Sequence, residues 1–392
     1  MNSRFVYFDN NATTPLDPDV RERFIQALDL YGNPSSMHMF GRQAHEGVEW
    51  ARGEVARLLG SLPEEILFTG GGSESNNTVL KSVLHPDFPR RKGKVITTAV
   101  EHPCILETAA FLKRFGVPVA ILPVDSEGKI DMNRYVDELD DSVALVSVML
   151  ANNEIGTIQD IADIAKLAKQ HGAYVHTDAV QGVGKIPVDV EELQVDYLTA
   201  SAHKLYAPKG VGALYRRKGA PLFPLIHGGH QEKGLRAGTI NGPSIIAFGC
   251  AAEKAGSLLD EEYIRLLRLR TKMRDGILAS VPDVMINGHP EDVLPGTLDV
   301  SFFAAEGESI LLSLDIEGIA VSTGSACATG SLEPSHVLMA TGMDAELAHG
   351  SIRFSLGRFN TEEEVDYLLE KLPPIIERIR KMSTISRKEV HQ

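Results

Sequence analysis

Three short stretches of this chain carry residue types that could do chemistry together. The first is Thr69-Gly70-Gly71-Gly72-Ser73-Glu74-Ser75-Asn76-Asn77. Glycines followed by a serine at a helix start leave backbone N–H groups and the positive end of a helix dipole open to an anion. The dinucleotide pattern fails here because its third glycine would fall at Ser75, and the P-loop fails for want of Gly-Lys-Ser/Thr. A plain turn with Ser73 as a helix cap competes evenly with phosphate binding. The second stretch, His176-Thr177-Asp178-Ala179-Val180-Gln181, ends an apolar run on an aspartate. Such a residue caps the next turn or aims a charge into a site, and caps are commoner. The third, Ser201-Ala202-His203-Lys204, ends another apolar run on a lysine flanked by small and polar residues.

The elements around these residues alternate. Ile66-Leu67-Phe68 reads as a strand and the segment from Ser73 to Leu84 as a helix. Val95-Ile96-Thr97-Thr98, Val117 to Leu122, Val143 to Met149, Tyr174 to Thr177 and Tyr197 to Ala200 read as further strands. Val143 to Met149 is almost wholly apolar, as a strand buried on both faces must be. Ile158, Ile161, Ile164 and Leu167 recur at helical spacing and stop at Gly172. Strands alternating with helices predict a largely parallel sheet covered by helices, with ligands gathered at the carboxyl ends of its strands. The last part of the chain changes character. It has a charge-rich helix from Glu253 to Ser280, a strand at Val300-Ser301-Phe302-Phe303, and a capping box at Thr361-Glu362-Glu363-Glu364 that opens a final helix kinked at Pro373-Pro374. The expected division is a large domain over residues 15–255 and a smaller α+β domain made of 1–14 and 256–392, with residues 1–14 assigned to the latter by family resemblance and not by pattern.

Composition narrows the function classes. At 392 residues, 43% hydrophobic and 23% charged, the chain is an ordinary globular one. Its net charge of −14 argues against nucleic acid as a direct partner. No apolar run is long enough for a membrane helix, and the start Met1-Asn2-Ser3-Arg4 lacks an apolar signal core, so a cytoplasmic protein is expected. Cys104, Cys250 and Cys327 are too few and too widely spaced for a disulfide framework or a metal knuckle, and no metal is expected.

Taken together, an anion cradle, an aspartate and a lysine at three strand ends are the parts of a pyridoxal-phosphate site. The phosphate needs the cradle, the pyridine nitrogen a carboxylate that keeps it protonated, and the aldehyde an amine. With these residues the chain resembles the pyridoxal-phosphate enzymes of aspartate-aminotransferase fold (fold type I), and among them the NifS/IscS-type cysteine desulfurases of the class V aminotransferases. The resemblance runs from Asp9-Asn10-Asn11-Ala12-Thr13-Thr14-Pro15 through Gly32-Asn33-Pro34-Ser35-Ser36, Glu101-His102-Pro103, Asn152-Asn153-Glu154-Ile155-Gly156 and Arg236-Ala237-Gly238-Thr239 to Arg353-Phe354-Ser355-Leu356-Gly357. Its most specific part is Ser322-Thr323-Gly324-Ser325-Ala326-Cys327, followed by Leu332-Glu333-Pro334-Ser335-His336-Val337-Leu338.

The resemblance implies roles. Lys204 holds the cofactor and then moves the substrate's Cα proton, Asp178 faces the ring nitrogen, and Gln181 faces the phenolic oxygen. His102 stacks on the ring and shuttles protons; Gly72, Ser73, Ser201 and His203 hold the phosphate; Asn153 lies beside cofactor and substrate. Thr239 reaches the phosphate in the other subunit of a homodimer, Arg353 takes the substrate carboxylate, and Cys327, on a long loop of the small domain, is the nucleophile. The implied reaction takes sulfur from L-cysteine, leaves L-alanine and a persulfide on Cys327, and passes the sulfur to an acceptor such as an iron–sulfur scaffold protein, where Cys327 could transiently ligate the cluster. On the residues alone, Arg353 pairs with an internal carboxylate more readily than it binds a ligand, and His102 could be a satisfied core histidine. In His227-Gly228-Gly229-His230-Gln231-Glu232 a histidine stands where the family usually has a third glycine, which puts the conformation of that loop in question. An aminotransferase or β-lyase on the same fold, a selenocysteine lyase, and a non-catalytic relative that binds the cofactor are the rival readings.

Overall fold

The computed structural model describes residues 5–323 and 334–383. Within them the strands are β1 (Val6–Tyr7), β2 (Ile66–Thr69), β3 (Lys94–Thr98), β4 (Val119–Leu122), β5 (Val143–Ser147) and β6 (Tyr174–Asp178). They continue as β7 (Tyr197–Ser201), β8 (Gly212–Arg216), β9 (Val284–Asn287), β10 (Thr297–Phe302), β11 (Ile319–Ala320) and β12 (Ser351–Ser355). Seven of them form one sheet in the order β2-β8-β7-β6-β5-β3-β4. The pairs β3–β4, β3–β5, β5–β6 and β6–β7 are parallel, whereas β8 runs antiparallel to both β2 and β7. Six strands therefore point one way, and the ends of β2, β3, β5, β6 and β7 share one edge. Apolar β-branched runs produce this sheet because helices cover both faces: β5 is buried at every position, and Ile161, Ile164, Ala165 and Ala168 form the buried stripe of the helix Ile161–Gln170.

The reversed strand β8 was not expected, because Gly212-Ala213-Leu214-Tyr215-Arg216 has the same apolar character as its parallel neighbours. The long helix also begins earlier than the charge pattern predicts, at Gly242 rather than Glu253, and runs to Ser280. Its first turns are apolar nearly all round, so they show no amphipathic stripe; Asn241 caps them and Pro243 occupies the first turn, where its missing N–H costs nothing. Pro373 and Pro374 do not end the final helix, which runs from Glu362 to Met382 behind the expected Thr361/Glu364 capping box.

A second apolar cluster lies apart from the large sheet. Leu266, Leu269, Met273 and Ile277 of the long helix meet Leu298 and Val300 of β10, Ile352 and Phe354 of β12, and Val365, Leu368 and Leu372 of the final helix. Val6 and Phe8 join this cluster, and β1 pairs in parallel with β11. The same long helix contributes Ile245, Phe248, Ala251 and Ala255 to the core under the large sheet, so its allegiance changes between Ala255 and Leu266.

Candidate active site

A cavity of about 400 Å³ opens where the parallel strands end. Beyond β2 the backbone turns through Gly71 at φ 147° into the helix Gly72–Ser82. A Cβ on Gly72 would stand 2.9 Å from Val180 Cγ2, so a side chain there would collide with the wall of the cavity. Gly72 and Ser73 therefore bring the first N–H groups of an 11-residue helix to the cavity, a cradle for an anion.

Asp178 ends β6 on the same cavity. Asn76, one helical turn beyond Gly72, donates from Nδ2 to Asp178 Oδ2 at 2.6 Å, and the Val180 N–H donates to Oδ1 at 3.0 Å. Each oxygen is thus oriented by a donor, and the carboxylate enters the cavity as an acceptor. Lys204 follows β7 in the short turn Ala202–Lys204, and its Nζ donates to the carbonyls of Asn11 and Ala12 (2.7 Å to the latter). Ser201 and His203 line the cavity beside it. Burial, with Lys204, Lys209 and Lys185 nearby, lowers the His203 pKa to about 4, so its ring is neutral.

His102 caps the helix Pro103–Arg114, and its Nδ1 accepts from the Cys104 N–H at 3.1 Å. Burial lowers its pKa, opposed by Asp178 and assisted by Lys204 and His336. A neutral ring that accepts at Nδ1 carries its hydrogen on Nε2. Cys104 also lines the cavity, but burial, followed by Asp178, pushes its thiol up to about 11, which makes it a poor nucleophile.

Arg353 reaches the cavity from β12. Its Nη2 meets Asp9 Oδ1 at 2.8 Å and its Nη1 donates to the Asn153 carbonyl at 3.1 Å, while its buried Nε has no hydrogen-bond partner. The two readings of Arg353 are therefore not exclusive: it pairs with an internal carboxylate and still lines the cavity. Gln181 and Asn153 complete the expected set, so ten of the twelve candidate residues line one cavity. Thr239 lies outside it on an exposed segment, and Cys327 lies outside the described residues. His230 adopts φ −90°, which any residue tolerates; the left-handed conformations fall instead on Glu232, Lys233 and Gly234. Glu232 is held there by Arg52, both of whose Nη atoms bond it at 2.8 Å, and by the Phe68 N–H at 3.0 Å.

Asn76, Asp9 and Asn11 belong to the cavity wall although the sequence reading gave them no role. Asn76 sits four residues beyond Gly72, a spacing that was available in the sequence; nothing local marks Asp9 as the partner of Arg353. The residues present fit pyridoxal phosphate: a cradle that a Cβ would fill, an oriented carboxylate, a lysine and a neutral histidine around one cavity of suitable size.

Comparison with known proteins agrees with this geometry. Residues 6–368 match the family described as Aminotransferase class-V. The chain is 50% identical over 382 residues to "Cysteine desulfurase IscS" of Dictyoglomus turgidum, covering 97% of this chain and 96% of that protein. It is 47% identical over 380 residues to "Cysteine desulfurase NifS" of Azotobacter vinelandii, covering 96% and 94%. A solved "NifS-like protein" superposes with a TM-score of 0.90 at 44% identity, over 96% of this chain and all of the other. The chain therefore belongs to the class-V aminotransferase family, on the branch that holds the cysteine desulfurases, and has their fold type I architecture.

Proposed function

We propose that this protein is a pyridoxal-phosphate-dependent cysteine desulfurase that takes sulfur from L-cysteine, leaves L-alanine and carries the sulfur as a persulfide on Cys327. The observation that carries the reading is the single cavity in which Lys204, Asp178, the Gly72–Ser73 cradle and Arg353 meet. Pyridoxal phosphate, when bound, supplies an aldehyde for covalent attachment and a protonated ring that can store an electron pair. Lys204 holds the aldehyde and then moves the proton at the substrate's Cα. Asp178, set by Asn76 and the Val180 N–H, keeps a proton on the ring nitrogen. Gly72, Ser73, Ser201 and His203 hold the phosphate, Gln181 meets the ring oxygen, and Asn153 lies beside both cofactor and substrate. His102, neutral and hydrogen-bearing at Nε2, lines the same cavity and would face the ring. Arg353 offers its guanidinium to the substrate carboxylate, the geometry for which a planar fork is suited. Cys327, as thiolate, attacks the substrate's sulfur: an S–S bond forms, the substrate's Cβ–S bond breaks, and the carbon skeleton takes up a proton to leave as alanine.

The site is completed by a second copy. Thr239 lies away from the chain's own cavity, and Tyr31, Met37 and Phe40 expose apolar side chains, which supports a homodimer in which Thr239 serves the neighbouring cofactor. The switch of the long helix between two apolar clusters supports a large domain over 15–255 and a small one over 1–14 and 256–392, the latter carrying the Cys327 loop. Among the described residues no helix is long and apolar enough to cross a membrane, which accords with a cytoplasmic enzyme handing sulfur to an iron–sulfur scaffold or another acceptor protein. Incubation with pyridoxal phosphate and L-cysteine tests the reading. Alanine should form and intact-mass measurement should find added sulfur on Cys327. An oxo-acid product with aminated cofactor would make the enzyme an aminotransferase, and bound cofactor with no turnover would make it a scaffold.

A further inference from the structure

Behind the catalytic lysine lies a second one that the reaction does not use. Lys185 Nζ donates to Gln181 Oε1 at 2.7 Å and to Asn11 Oδ1 at 3.0 Å. Both partners are amide oxygens, so neither offsets the charge. Burial first, then Lys204 and Arg353, push the Lys185 pKa down to about 7. A cation kept in such a place needs a reason beyond solvation.

The reason lies in what its two bonds do to the amides. In either protonation state the Lys185 nitrogen has N–H to donate to both oxygens, as an ammonium it only donates, and a backbone carbonyl only accepts. Gln181 is gripped at both ends by such one-way partners: Lys185 takes its oxygen, and its Nε2 donates to the Asn11 carbonyl at 2.9 Å. Asn11 is gripped likewise, its oxygen by Lys185 and its Nδ2 by the Asn153 carbonyl at 3.1 Å and Thr297 Oγ1 at 2.8 Å. Neither amide can turn over without setting like against like. The Asn11 carbonyl that orients Gln181 also receives Lys204 Nζ, so one small network sets both groups.

We infer that Lys185 is a positioning residue for the cofactor: by occupying the Gln181 oxygen it leaves Gln181 only N–H to offer the cavity, and so fixes that side chain as a donor to the cofactor's ring oxygen. The inference rests on the pyridoxal-phosphate reading of the site. A donor at that oxygen favours its ionised form and so sets the pH at which the loaded protein changes colour. Lys185 acts on this pH through Gln181, not merely as a nearby charge.

Wild type, Lys185→Met, Lys185→Gln, Gln181→Leu and the double variant Lys185→Met/Gln181→Leu are each loaded with pyridoxal phosphate, and the visible band is titrated with pH. Equilibrium dialysis gives the cofactor dissociation constant of each, and thermal unfolding of the apo forms shows that each folds. Lys185→Met should raise the midpoint by about half to one pH unit, the range for weakening one hydrogen bond to a charged group. Lys185→Gln keeps an N–H donor without the charge and should titrate like wild type. In the Gln181→Leu background, Lys185→Met should add no shift of its own. The inference is overturned if Lys185→Met shifts the midpoint equally in both backgrounds, if Lys185→Gln shifts like Lys185→Met, or if Lys185→Met shifts nothing. Should Lys185→Met not fold, Lys185→Gln decides: a wild-type midpoint beside a raised one in Gln181→Leu supports positioning, and a raised midpoint in Lys185→Gln refutes it. Wild type that takes up no pyridoxal phosphate would overturn the cofactor reading instead, a separate result.

Discussion

Arg353→Lys separates a substrate-binding arginine from a structural one. The Arg353 side chain is 5% exposed and pairs with Asp9, which alone would explain a buried charge there. Its place on the cavity wall points to a further acceptor, the cysteine carboxylate. Lysine keeps the charge but loses the fork. One of two charge-assisted hydrogen bonds to the carboxylate should go, worth about 1.5–3 kcal/mol. That converts to a fall in kcat/KM for L-cysteine of roughly 10- to 100-fold, carried mainly by KM. The cofactor's visible band should be unchanged, because Lys204 and Asp178 are untouched. Asp9→Asn is the control. It removes the internal competitor for the guanidinium, so KM for cysteine should hold or fall. Steady-state alanine production measures both variants. If Asp9→Asn raises KM as much as Arg353→Lys, or Arg353→Lys leaves KM within threefold or so, Arg353 serves Asp9 and not the substrate.

Cys327→Ser should still bind cofactor and still show a spectral change with cysteine, while alanine production nearly stops and no sulfur is added in the intact mass; Cys104→Ser and Cys250→Ser should behave as wild type. Lys204→Ala should fold but lose its visible cofactor absorbance on dialysis, and a retained band with full activity would remove Lys204 from its role. Glu232→Gln should destabilise the fold by about 3 kcal/mol, read as a lower Tm, because it leaves the buried Arg52 guanidinium with only the half-exposed Glu49 carboxylate. Burial raises the Glu101 carboxyl from near 4.5 to about 8, so the folded state binds a proton that the unfolded chain has released. Wild type should therefore lose stability relative to Glu101→Gln as pH rises across that interval, and parallel Tm curves for the two would show that Glu101 is ionised in the folded protein.

Strand ends and residue types mark the Gly72–Ser73 turn, Asp178 and Lys204 as parts of one site, whereas His102, Asn153, Gln181 and Arg353 rest on the resemblance to the desulfurases. An apolar run buried on both faces needs no partner to be recognised, and a lysine, an aspartate or a glycine turn immediately after one can be read as facing the open edge of a parallel sheet. What such reading misses is set by tertiary contact. The reversed strand β8 looks like its parallel neighbours because burial, not direction, dictates its composition. Cys250 and the first turns of the long helix are apolar on every side, so periodicity gives no sign of where that helix starts. Asn76 and Lys185 look like ordinary polar residues four positions beyond Gly72 and Gln181; only the folded chain shows that one orients Asp178 and the other Gln181. His230 illustrates the reverse error. A histidine in place of an expected glycine raises a question of strain, yet the strain sits two residues on, at Glu232, where a buried ion pair to Arg52 holds the backbone at φ 44°. The cradle, the aspartate and the lysine are thus written into local pattern, and the groups that hydrogen-bond to the site's side chains are written into contacts between distant elements. Substitutions in this second layer, at Asn76 or Lys185, should accordingly alter the cofactor's spectrum and affinity well before they alter the fold.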